Sequence, residues 1–62
     1  MILYPDFTEN RETSTVLYFS AEGKDVRALE ETLKNTYACY SAIGTVKKDG
    51  KTYVALEIED DA

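Results

Sequence analysis

A chain of 62 residues with 12 acidic and 7 basic side chains, one cysteine and no histidine is one small domain with neither a disulfide framework nor a Cys/His zinc site. The net charge of −5 repels nucleic acid and anionic membranes and favours basic partners. Five tyrosines, two phenylalanines and a 44% apolar content are too rich for a disordered chain.

The first stretch, Met1-Ile2-Leu3-Tyr4-Pro5, has no basic region and too few apolar residues for a signal peptide or a membrane span. With the lone Cys39, this sets the expected compartment as the cytoplasm. Residues 2–7, ILYPDF, read as an extended segment, and Pro5 confines it to an edge or bulged position because it cannot donate to a ladder. Residues 8–14, TENRETS, read as a polar turn. Residues 15–20, TVLYFS, form a strand that is apolar on both sides, with Val16 and Tyr18 on one and Leu17 and Phe19 on the other. Such a strand is normally covered on both faces.

Gly23 ends that strand, and residues 24–38 carry Val26, Leu29, Leu33 and Tyr37 at helical spacing, with Tyr40 continuing the stripe. Asp25 is a candidate N-cap or first-turn acid. Arg27, Glu30, Glu31, Lys34 and Asn35 make the solvated back, with Glu30 and Lys34 in the favourable i,i+4 order. Residues 41–59 form a hairpin about Asp49-Gly50, the strongest short hairpin signal. Two registers compete. A two-residue type I′ turn pairs Lys48 with Lys51 and Val46 with Tyr53, whereas a bulged turn shifts every partner by one. In either register Val54, Leu56 and Ile58 face the helix, and Tyr53 and Ala55 face away.

The expected fold is therefore a single α+β domain over residues 1–62, ββαββ. Its sheet has roughly four mainly antiparallel strands, and one amphipathic helix packs on one face. One helix leaves the second face open. A core this small supplies only about 3–5 kcal/mol, so a homodimer, with a second copy of the sheet covering that face, is the expectation.

Catalytic signatures are missing. Without histidine no Ser-His or Cys-His arrangement can form. Cys39 lies at a helix C-terminus, where the dipole disfavours a thiolate, and reads as a buried small hydrophobe. Gly23, Gly44 and Gly50 are isolated rather than a phosphate loop. No calcium-loop spacing occurs. No enzyme activity, cofactor or metal is expected, and direct nucleic-acid binding is disfavoured because the tyrosines lack a surrounding positive field.

What remains is a small acidic module that binds another protein, one with a basic surface. In size and charge it resembles the small acidic inhibitor and host-takeover proteins encoded by phages and mobile elements. The alternative is a structural, assembly or antitoxin-like subunit that self-associates or binds one cognate protein through its uncovered sheet face. The candidate contact residues are Tyr18, Val46 and Tyr53 for an apolar patch, and Glu57, Glu59, Asp60 and Asp61 for steering. Alternate strand residues stand about 6.7 Å apart, roughly half the charge density of one DNA backbone. A phosphate mimic would thus need a second acidic row, from Asp6, Glu9 and Glu12 or from a second subunit.

Overall fold

Helix and sheet meet along the apolar stripe that the sequence spells out. The structure, a computed structural model, describes residues 4–60. In chain order the elements are β1 (Phe7–Asn10), β2 (Ser14–Ser20), α1 (Val26–Thr36), β3 (Ala42–Lys48) and β4 (Lys51–Glu59). The strands form one sheet in the order β1-β2-β4-β3, with every neighbouring pair antiparallel. This is the ββαββ domain read from the sequence. Because β2 and β3 both run antiparallel to the β4 between them, they are parallel to each other, and α1 is the crossover that joins them.

The helix starts where Asp25 accepts hydrogen bonds from the backbone N–H groups of Arg27 and Ala28, at 2.9 and 3.3 Å, which satisfies two of the donors left open by the first turn. It is shorter than the 24–38 stretch of matching periodicity. It ends at Thr36, and the N–H of the capping Tyr37 donates to Leu33 O. Tyr37 and Tyr40 still pack against the core from the turn that follows. That turn sends Cys39 outward, so the expectation of a buried cysteine is corrected: Cys39 is exposed. On the helix back, Lys34 lies 4.0 Å from Glu31, one turn back at i,i+3, in place of the expected Glu30.

Leu29 and Leu33 from the helix meet Phe19, Ala21, Val54 and Leu56 from the sheet, and Leu33, Val54 and Leu56 are wholly buried. The pairing of Leu17 with Leu56 and of Phe19 with Val54 sets these residues on one face, and Ile43 and Ile58 pack at its margin. The hairpin register is the two-residue one: Lys48 pairs with Lys51, and both Asp49 (φ 54°) and Gly50 (φ 76°) take the left-handed conformation that a type I′ turn requires.

The N-terminal strand is displaced relative to the sequence reading. Pairing begins at Phe7, and Thr8, Glu9 and Asn10, expected in a turn, are strand residues opposite Leu17, Val16 and Thr15. The turn itself shrinks to Glu12 and Thr13, closed by Arg11 N–H donating to Ser14 O at 2.7 Å. Edge pairing uses backbone groups, so the polar side chains of β1 do not prevent it. Ile2 and Leu3, included in the expected extended segment, lie outside the described residues.

Leu33 is the contact through which the helix is held, and truncating such a buried leucine costs about 2–5 kcal/mol. That equals the whole margin of a domain this size, about 3–5 kcal/mol. Leu33→Ala is therefore expected to bring the chain to or past its unfolding midpoint at room temperature, as read by far-ultraviolet circular dichroism during urea titration.

Candidate interaction surface

The second sheet face, which no helix covers, collects Phe7 and Glu9 from β1, Val16 and Tyr18 from β2, Tyr53, Ala55 and Glu57 from β4, and Ala42, Gly44, Val46 and Lys48 from β3. Its shape follows from side-chain size along the cross-strand lines. Tyr18 is followed by Ala55 and then Gly44, and Val16 by Glu57 and then Ala42. Bulk on β2 and smallness on β3 leave a shallow depression. Its volume is about 270 Å³, and it is lined by Val16, Tyr18, Ala42, Ile43, Gly44, Val46 and Ala55, with Arg11 and Glu57 at its rim.

One end of this face is closed by an aromatic cluster. Phe7 stacks on Tyr18 with ring centroids 4.6 Å apart and planes 13° from parallel. Tyr53 meets both rings edge-on, at 5.2 and 6.4 Å. The Lys48 ammonium lies 4.8 Å from the Tyr18 ring centre and 5.4 Å from that of Phe7, within reach of a cation–π attraction. Tyr18 is consequently only 5% exposed and Val16 4%. Strand β2 is indeed covered on both faces, and on this one the chain's own side chains supply the cover.

The candidate residues thus take different positions. Tyr18 forms the floor and offers little area to a partner, while Val46 and Tyr53, a directly facing pair, are half-buried at the surface. Glu57 is half-buried, accepts a hydrogen bond from the Ser14 hydroxyl and stands on the depression's rim. Glu59 is exposed at the same end of β4. Asp60 turns to the helix side, where it accepts from the Thr15 hydroxyl at 3.2 Å, and its N–H donates to Thr13 O. Asp61 lies outside the described residues. The four acids are therefore not one row.

Nor do the earlier acids supply the second row. Glu9 lies on a cross-strand line with Val16 and Glu57, but its carboxylate accepts from the Tyr18 hydroxyl at 2.8 Å and pairs loosely with Arg11 at 3.8 Å. Asp6 is taken up by the Ser20 N–H at 2.6 Å. Phe7, Lys48 and Arg11 were missed as members of this face. Phe7 and Arg11 could have been found from the alternation Phe7, Glu9, Arg11, had 8–14 been read as a strand, whereas the reach of the Lys48 ammonium across the face to Tyr18 and Phe7 has no sequence signal. The face is amphipathic rather than uniformly acidic: its floor is apolar, one end carries lysine, and the other carries Glu57 and Glu59.

Among the described residues no group of three or more acids or thiols is placed to hold a metal, and no helix is long and apolar enough to cross a membrane. The chain matches no family model, no curated protein and no solved structure.

The Tyr18–Glu9 hydrogen bond moves both groups from their ordinary values. Donation from Tyr18 lowers the Glu9 pKa below 4.5, with Arg11 and Lys48 assisting. The same bond, followed by desolvation, raises that of Tyr18 above 10.0. For Glu9 the contribution is present above 4.5 and lost as pH falls through its lowered value. For Tyr18 it is present below 10.0 and lost as pH rises through its raised value. Glu9→Gln should return Tyr18 toward 10.0, a change to be read by pH titration of labelled tyrosine in NMR. An unchanged Tyr18 titration would show that the bond does not persist in solution.

Proposed function

We propose that the protein is a small acidic interaction module that acts by docking its helix-free sheet face onto another protein, as an inhibitor that occupies a partner's surface would. The observation that carries this reading is the depression beside Gly44. An apolar floor with a charged rim gives both area to bury and polar groups to orient a partner. The partner committed to is a protein segment with apolar residues flanked by basic ones. The apolar residues would enter between Tyr18 and Val46, and the basic ones would face Glu57 and Glu59, whose field steers the encounter.

Gly44 gives a direct test. Its φ is not in the left-handed region, and an added Cβ would meet nothing within 4 Å. Gly44→Val therefore fills the depression without disturbing the sheet, and relief of strand glycine entropy offsets the change by about 0.5–1 kcal/mol. Peptides selected from a random display library on the wild-type protein should be apolar-basic. They should lose at least tenfold in affinity to Gly44→Val and to Tyr53→Asp, and bind Glu30→Gln on the helix back unchanged. Replacing Glu57 and Glu59 by glutamine should slow association and reduce its salt dependence, with dissociation less affected. Peptides that bind all variants alike, or whose NMR shift changes map to α1, would overturn the reading.

A further inference from the structure

The two edges of the sheet differ. β1 is four residues long, whereas β3 runs seven residues without proline and, among the described residues, has no strand paired on its outer side. The hydrogen-bond parity of the sheet fixes which of its backbone groups are free. Ala21 N–H donates to Thr52 O, and Asp60 N–H to Thr13 O, both at 2.9 Å, so the even-numbered residues of β4 bond toward β2. Its odd-numbered residues bond toward β3, where they face Lys48, Val46, Gly44 and Ala42. The intervening Ile43, Thr45 and Lys47 therefore direct N–H and C=O outward, a ready template for another strand.

We propose that this edge pairs with β3 of a second copy, antiparallel about a two-fold axis at Thr45, to give one continuous eight-stranded sheet. Only outward-facing residues then meet as hydrogen-bonded pairs: Ile43 with Lys47 and Thr45 with Thr45. The non-bonded pairs are equally well matched. Val46 of one copy stands beside Gly44 of the other, in the open space where a side chain is lacking. Lys48 stands beside Ala42, whose cross-strand neighbour on the same face is Glu57. A lysine reaching over an alanine meets that carboxylate about two strand spacings away, roughly 9.5 Å between Cα atoms. Edge lysines ordinarily discourage pairing. Here Lys48 sits at one end of the strand, so it meets its own counterpart in a parallel arrangement and Glu57 in the antiparallel one, while Lys47 lies on the opposite face beside Ile43 of the second copy. The pairing borders the depression at Ala42, Gly44, Val46 and Glu57, but it rests on the outward backbone groups of β3 and makes no use of Tyr53, so a change at Tyr53 tells it from the docking reading.

Within one chain Lys48 is level with Lys51, six residues along β4 from Glu57, a separation of about 20 Å. The Lys48 ammonium does reach the Tyr18 ring, level with Ala55 and two residues from Glu57, so charge exchange reports on contact between copies where it changes the association constant while leaving the urea midpoint of the monomer unchanged. Sedimentation equilibrium over a concentration series at physiological salt should show a dimer. Lys48→Glu and Glu57→Lys should each lower its association constant about fivefold to thirtyfold, since the pair occurs twice per dimer, and the double variant should recover it. Loss of the Lys48–Tyr18 contact is common to both proteins carrying Lys48→Glu, so it cannot produce that recovery. Thr45→Pro, which removes an outward donor and none that bonds to β4, should give a monomer with unchanged circular dichroism. Tyr53→Asp should leave the dimer intact while abolishing peptide binding, which separates the two proposals. A monomer at every concentration would overturn the pairing. So would a dimer whose single charge variants behave as wild type, or one that the double variant does not restore.

Discussion

Among the described residues, one helix of eleven residues is the only helical layer laid on a four-stranded sheet. At about 1.5 Å per residue it spans roughly 16 Å, enough to roof one face and none of the other. The rest of the architecture answers that shortfall. The helix side takes the aliphatic residues, packed as an ordinary core. The open side takes residues that can be half-wet: a tyrosine whose hydroxyl finds a carboxylate, a lysine whose ammonium lies over two rings, and small residues that expose little apolar surface. Burial of Tyr18 and Val16 on the open side is thus achieved without a second layer, by aromatic stacking that serves as a thin lid.

This arrangement also explains how the acidic composition is distributed. The carboxylates nearest the sheet are held by hydrogen bonds, Glu9 by Tyr18, Asp6 by Ser20 and Glu57 by Ser14. They act as fixed parts of the surface rather than as a mobile fringe. The charge that remains free is polarised, with lysines at the β3–β4 tip and acids at the opposite end. A molecule with a net charge of −5 therefore presents a local dipole to whatever approaches its sheet. That dipole, more than the total charge, determines which orientations of a neighbour are favoured at distances shorter than the screening length of about 8 Å.

Most of the fold was legible because its signals are local. Asp49-Gly50 announces a hairpin, Asp25 announces a helix start, and the stripe from Val26 to Leu33 shows which side of the helix is buried. The last strand was legible too, since Val54, Leu56 and Ile58 are its most apolar alternating set. What escaped is non-local. β1 is held by backbone pairing to β2 alone, and its polar side chains mimic a turn. The choice between hairpin registers rests on whether Asp49 tolerates a left-handed backbone, which composition alone does not decide. Membership of the open face was legible for Tyr53, Val46 and Tyr18, and illegible for Lys48, whose contact with Phe7 crosses from one edge strand to the other.

That crossing has a mechanical meaning. Lys48 leaves the outermost strand on one side and its ammonium ends 5.4 Å from a ring on the outermost strand of the other, so one side chain reaches across all four strands at the aromatic end. An attraction of this kind is worth about 0.5–1 kcal/mol at an exposed site, and it opposes any motion that would part the two edge strands there.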